Sequence, residues 1–130
     1  MNTKPITVVC AIIVHDNKIL AVQRGKNMSL PLKWEFPGGK IEANESEQDC
    51  IKREIREELN IEIEVKNRLT PSYFEYPNIT IELIPYLAQY LSGEIVLAEH
   101  KGYQFLSTSE LNNLDWAQAD LPILKELQSL

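Results

Sequence analysis

The segment from Ser46 to Ile61 constrains this chain most, because it specifies a single amphipathic helix with an unusual charged face. Ser46 followed three residues later by Asp49 resembles a capping box, and Glu47 and Asp49 put acid in the first turn, where the helix dipole favours it. Ile51, Ile55 and Leu59 recur every four residues as an apolar stripe, while Glu54, Glu57 and Glu58 fall at i, i+3 and i+4 on a neighbouring face. Like charges at those spacings destabilise a helix by about 0.2–0.5 kcal/mol per pair. Two readings follow. Lys52, Arg53 and Arg56 offset the acids on a solvated face, or a hard cation such as Mg2+ or Mn2+, which suits all-oxygen ligands, gathers them.

Around this helix the chain reads as strands. Ile6 to His15 is rich in β-branched residues, and Lys18 to Gln23 forms a second strand after an Asp16-Asn17 turn, so a hairpin opens the fold. A polar loop from Gly25 to Pro31 leads to Trp34-Glu35-Phe36, and Pro37-Gly38-Gly39 reads as a forced turn. After the helix, Glu62 to Val65, Ser72 to Tyr76, Thr80 to Tyr90 and Gly102 to Leu106 read as strands, with Pro85 marking an edge or a bulge. Ser107 or Ser109 is expected to cap a short turn at Glu110-Leu111, and Leu121, Leu124, Leu127 and Leu130 give a closing helix that packs on the core. Strands on both sides of a central helix, with a second helix at the end, fit an α+β arrangement of a mixed sheet sandwiched between helices.

A length of 130 residues with 44% apolar and 25% charged residues fits one domain, residues 1–130, with a real core. The formal net charge of −6 argues against a nucleic acid polymer as partner, and residues 39–61 hold seven acids against four bases, so half of that charge is local to the helix region. Cys10 and Cys50 have no paired spacing and read as buried free thiols, which suits a reducing cytoplasm. The longest apolar run, Val8 to Val14, is too short to span a bilayer, and Met1 to Pro5 lacks the features of a signal peptide. The expectation is a cytoplasmic monomer or homodimer with no membrane partner.

The wider spacing decides between the two readings of the acid cluster. Gly39, five residues, Glu45, seven residues, then Arg53-Glu54-Ile55-Arg56-Glu57-Glu58-Leu59-Asn60-Ile61 resembles the Nudix box, G-x5-E-x7-R-E-U-x-E-E-x-G-U with U apolar. One specified position departs: Asn60 stands where the family has Gly, and Asn is the next best residue for a left-handed backbone after a helix. The C-terminal run from Leu114 to Leu124 and the position of Glu99 extend the resemblance to the MutT and CTP pyrophosphohydrolase branch.

That resemblance implies an α/β/α sandwich and a metal-dependent nucleoside triphosphate pyrophosphohydrolase that releases nucleoside monophosphate and pyrophosphate. It implies Mg2+, with Mn2+ as substitute, held by Glu54, Glu57 and Glu58, by the main-chain carbonyl of Gly38 and by Glu99. Glu45 and Arg53 are implied to orient the cluster. The proton acceptor is left open between a box carboxylate and Glu99. Arg24 and Lys40 are implied to approach the triphosphate and Asp120 to read the base edge; the aromatic residues Trp34, Phe36, Tyr73 and Tyr76 read individually as core, with one or two near the site, Tyr76 first and Phe36 next, available to stack on a base. An ionised Asp120 accepts from the exocyclic amine of cytosine, which points to CTP, dCTP or a modified relative, with 8-oxo-dGTP second. Hydrolysis of ADP-ribose or a dinucleotide, and a non-catalytic nucleotide-binding module, stand as further alternatives. His15 and His100 read as surface polar residues rather than nucleophiles or ligands, and His100, beside Glu99, is a candidate for supporting the metal-holding acids from behind.

Overall fold

The structure, a computed structural model, describes residues 4–130. Strands β1 (Ile6–His15) and β2 (Lys18–Gln23) form the opening hairpin, paired through Val14↔Ile19 and His15↔Lys18. Asp16 (φ 52°) and Asn17 (φ 64°) both take positive φ, as a two-residue turn matched to strand twist requires. Away from the turn, β1 and β2 diverge, and the chain from 34 to 40 fills the wedge between them. There β3 (Trp34–Glu35) pairs with β2 and β4 (Gly38–Lys40) pairs antiparallel with β1. Helix α1 (Glu47–Leu59) follows.

The remaining strands are β5 (Glu62–Arg68), β6 (Ser72–Tyr76), β7 (Ile79–Ser92) and β8 (Gly102–Leu106). β7 runs parallel to β1 along Ile6–Val14 and antiparallel to β5 and β6, and β8 extends the sheet beyond β2. The mixed sheet is covered on both faces. β1 alternates: Val9, Ala11 and Ile13 pack with Cys50, Ile51, Ile55 and Leu59 of α1, whereas Cys10 and Ile12 pack with Leu111, Trp116, Ile123, Leu124 and Leu127 on the other side. The second layer comprises 3-10 turns at Glu110–Asn113 and Gln118–Asp120 and helix α2 (Leu121–Gln128). The result is the expected α/β/α sandwich.

The ends of α1 follow the sequence reading. Ser46 Oγ accepts from Asp49 N–H at 3.0 Å, and Asn60 closes the helix at φ 62° with its N–H donated to the Arg56 carbonyl. Ser46→Ala should therefore cost about 1 kcal/mol, read as a lowered denaturant midpoint.

Four local expectations are corrected. Gly38 and Gly39 are strand, following a bend at Pro37, not a turn: among the described residues the one glycine with positive φ is Gly93, and Gly38 and Gly39 are small for a steric reason developed below. Pro85 lies in a central strand, so the edge reading falls and the bulge reading, beside a register shift of β5, stands. Its carbonyl accepts from Leu69 N–H at 2.8 Å, so its missing N–H faces the gap where β7 passes from β6 to β5 and the β5 register shifts. In α2 the buried residues are Ile123, Leu124 and Leu127, while Leu121 is 40% and Leu130 79% exposed, because a strict three-residue spacing drifts about 60° per step round a helix of about 3.6 residues per turn, and Leu130 lies past the helix end at Gln128. Neither Ser107 nor Ser109 caps the Glu110 turn with its side chain by bonding helix N–H groups; Glu110 reaches back to Ser107 N–H instead, at 2.9 Å.

Candidate active site

The buried stripe of α1 fixes its rotation, and that rotation delivers Glu54, Glu57 and Glu58 to a cleft beside the β1–β2 wedge. Arg53 organises the acids. Its guanidinium donates to Glu45 at 2.7 and 3.0 Å, to Glu54 at 2.9 Å, to Glu57 at 2.9 Å and to the Lys40 carbonyl at 3.4 Å, tying helix, preceding loop and β4 together. Those bonds hold the Glu45 carboxyl down at about 2 and raise Arg53. Arg56, by contrast, is turned away to Glu62 at 2.7 Å. Arg53 thus does offset Glu54 and Glu57, but from a half-buried clamp rather than a solvated face, and exposed Arg56 offsets Glu62 instead of the box acids.

Glu58 is pushed up to about 9, first by burial, then by Glu54, Glu35 and Glu99. Arg53 pairs with Glu54 and Arg24 with Glu35, but no arginine or lysine pairs with Glu58 among the described residues, so burial and the neighbouring acids favour its protonated form. Such an all-oxygen set fits a hard divalent cation. In the conformation described, Glu54 and Glu57 are turned onto Arg53, and among the described residues no three acidic, imidazole or thiol groups are gathered tightly enough to enclose an ion.

Gly38 and Gly39 make the close approach possible. A Cβ at Gly38 would overlap the Val9 carbonyl and lie 2.7 Å from Cys10 Cα, and a Cβ at Gly39 would overlap the Glu54 carboxylate. Glycine here serves proximity rather than a turn.

The cleft has two lobes. The acidic lobe, about 390 Å³, is lined by Gly38, Gly39, Glu54, Glu57, Glu58, Glu99, His100 and Phe36 among others. A more apolar lobe, about 520 Å³, is walled by Leu30, Tyr76, Pro77, Ile79, Ile81 and Ala119. Val8, Arg24, Glu35, Lys40, Leu83 and Asp120 line both and mark the junction. All the residues expected from the sequence except Glu45 and Arg53, which stand behind the acids, therefore line this cleft.

Several are held in ways the sequence did not suggest. Arg24 donates to Glu35 at 2.9 and 3.2 Å and to Ser29 at 2.6 and 2.9 Å, so its guanidinium is already oriented by protein acceptors. Phe36 is buried against Trp116, ring centroids 4.7 Å apart, and Tyr76 packs on Phe74 while its hydroxyl accepts from Ala119 N–H at 3.0 Å. Asp120 is brought in by residues 115–117, which bond along Trp34. It is 4% exposed, and its carboxyl accepts from Phe36 N–H at 2.9 Å. Burial, then Glu35, raise it well above the usual carboxylate range.

Sequence reasoning missed Glu35 and misplaced His100. Glu35 touches Arg24 and His100 and lines both lobes; the signal available was one acid set between two aromatic residues. His100 is buried, not on the surface, because its ring is drawn under the cleft floor by Glu35 at 2.9 Å. His15 instead lies half exposed against Tyr90 and Phe105. Cys10 and Cys50 are buried free thiols, and burial pushes Cys50 up to about 12. No helix among the described residues is long and apolar enough to cross a membrane.

The NUDIX domain family matches residues 3–127. The CTP pyrophosphohydrolase of Escherichia coli is 35% identical over 127 residues, covering 98% of this chain and 94% of that protein. The 8-oxo-dGTP diphosphatase of the same organism is 30% identical over 115 residues, covering 88% and 89%. A solved structure of a MutT protein of the Nudix hydrolase family from methicillin-resistant Staphylococcus aureus superposes with TM-score 0.79 at 44% identity and covers 98% of each chain. With the box on α1 and its acids turned into a two-lobed cleft, the chain belongs to the Nudix hydrolases, as a pyrophosphohydrolase of the MutT and CTP pyrophosphohydrolase branch.

Proposed function

We propose that this chain, acting as a single domain, hydrolyses a cytidine nucleoside triphosphate, CTP, dCTP or a modified relative, to the monophosphate and pyrophosphate with Mg2+, for which Mn2+ can substitute. The observation that carries the reading is the shape of the cleft: acids at one end, an apolar lobe at the other, and Arg24, Lys40 and Asp120 at the junction. The cation supplies charge neutralisation on phosphate oxygens and acidifies water. Glu54, Glu57, Glu58, Glu99 and the Gly38 carbonyl would hold it. Glu45 and Arg53 keep the box acids aimed, and a carboxylate oxygen of the cluster takes the proton of the attacking water. Arg24 and Lys40 meet the phosphates and Tyr76 bounds the base, whereas Phe36, buried and lining only the acidic lobe, supports the cleft from the core.

Asp120 bears on the base. A carboxylate there accepts from the exocyclic amine of cytosine, while a protonated one adds a donor that suits an oxidised guanine; burial beside Glu35 favours the protonated form, which keeps 8-oxo-dGTP as the second substrate. The 35% identical relative over nearly the whole chain supports cytidine first. Residence in the cytoplasm is part of the same reading, supported by two unpaired buried thiols.

The test is hydrolysis of CTP, dCTP, 5-methyl-dCTP, 8-oxo-dGTP, the ordinary nucleotides and ADP-ribose with Mg2+, with products identified. Cytidine preference with pyrophosphate release, abolished by EDTA, is expected. Preference for 8-oxo-dGTP moves the assignment to the second substrate, and absence of turnover on every member overturns the enzymatic reading.

A further inference from the structure

His100 is a buried polar residue that packing does not explain. Its side chain is 2% exposed, and a leucine would fill similar space without leaving a polar atom behind. The ring does leave one: Nδ1 is the buried side-chain nitrogen or oxygen without a hydrogen-bond partner among the described residues. The opposite nitrogen is fully engaged. Nε2 lies 2.9 Å from Glu35 Oε2, and because a carboxylate only accepts, Nε2 carries the hydrogen and donates it. Nδ1 faces Glu58 Oε2 at 3.6 Å, just beyond hydrogen-bond range. Glu35, in turn, holds Arg24 through two bonds.

One imidazole therefore spans the two functional halves of the cleft. On one side it reaches the acid that orients Arg24, and on the other it stands against a box carboxylate. The backbone around it is pinned to the same pieces: Ala98 N–H donates to the Glu58 carbonyl at 3.1 Å, and Lys101 N–H donates to the Gln23 carbonyl at 2.8 Å, beside Arg24. Glu99 is carried between those pins.

We propose that His100 is a positioning residue that fixes the Glu58 carboxyl and the Glu99 segment relative to Glu35 and Arg24, and so sets the spacing between the cation-holding acids and the phosphate-binding arginine. The proposal rests on the roles given above for Glu58, Glu99 and Arg24. It deepens them by naming the residue that couples them through Glu35 and Glu58.

The test titrates Mn2+ alone, followed by the electron paramagnetic resonance signal of the free ion, into wild type, His100→Leu and His100→Gln, with thermal unfolding, kcat and KM measured in parallel. His100→Leu should fold, bind Mn2+ about tenfold or more weakly and lose kcat more than it raises KM, as removal of a partner behind metal ligands does. His100→Gln, whose amide N–H reaches the Nε2 position toward Glu35, should recover most of the loss. Unchanged Mn2+ affinity in His100→Leu overturns the proposal. If the leucine variant does not fold, His100→Gln against His100→Asn decides: the shorter amide cannot reach Glu35, and equal Mn2+ affinity in the two overturns the proposal. Wild-type protein that binds Mn2+ but turns over no nucleotide fails the proposed function while these affinities still decide the role of His100. Wild-type protein that binds no Mn2+ overturns both.

Discussion

Glu54→Gln is expected to give a folded protein with at least a hundredfold lower kcat, about 2.7 kcal/mol of barrier, the scale of losing a key acid–base or ligand group. The substitution changes charge and one acceptor, not shape. Arg53 retains Glu45 and Glu57, so the clamp between α1, the preceding loop and β4 survives. What is removed is the carboxylate that lies against Gly39 and beside Glu58. A second signature follows from the same contact. Glu58 is held up at about 9 by burial first and by Glu54 next, so loss of the Glu54 charge should move the Glu58 titration down, visible in carboxyl carbon NMR. Wild-type turnover in Glu54→Gln at saturating Mg2+, with an unchanged melting temperature, would remove the box acids from the mechanism.

What the sequence made legible was what local chemistry determines. The helix start at Ser46, the left-handed Asn60, the Asp16-Asn17 hairpin and the stripe Ile51, Ile55 and Leu59 all depend on residues within a few positions of one another, and all stand as read. The readings that failed depend on partners far along the chain. Pro85 is tolerated mid-sheet because β5 and β6 leave a gap opposite it, which no local rule contains. His100 looks like a surface residue between Glu99 and Lys101 until Glu35, 65 positions away, supplies its acceptor. Arg24 was legible as a cation near phosphate, but its capture by Glu35 and Ser29 was not. Asp120 shows the limit most clearly. Its residue type suggested an ionised acceptor, whereas burial beside Glu35 pushes its carboxyl well above the usual range, an influence that comes from residues far along the chain. For the site, spacing along one helix revealed the acids; the residues facing them across the cleft come from other strands and turns, and family resemblance alone suggested them.

The paired glycines give the other large effect, and they should separate. Gly38→Ala is expected to destabilise the protein by about 3 kcal/mol or more, the upper part of the usual range for forcing atoms into a filled core. Its Cβ would meet main chain, the Val9 carbonyl and Cys10 Cα, in the buried central strand β1, and neither can move without parting β4 from β1 along Val8↔Lys40, Val9↔Gly39 and Cys10↔Gly38. Gly39→Ala meets a different obstacle. Its Cβ would overlap the end of the Glu54 side chain, which can rotate aside at a cost of about 1 kcal/mol. Stability should therefore change little, while turnover falls about a hundredfold because a reacting-site carboxylate has been displaced by an ångström or more. Urea unfolding and kcat measured on both variants test the pair. A stable Gly38→Ala would contradict the close β1–β4 approach, and a fully active Gly39→Ala would show that the position of Glu54 against this strand does not matter. The crossed outcome, one variant losing its fold and its neighbour losing only its chemistry, is the result that a double glycine serving backbone contact at one position and carboxylate contact at the next requires.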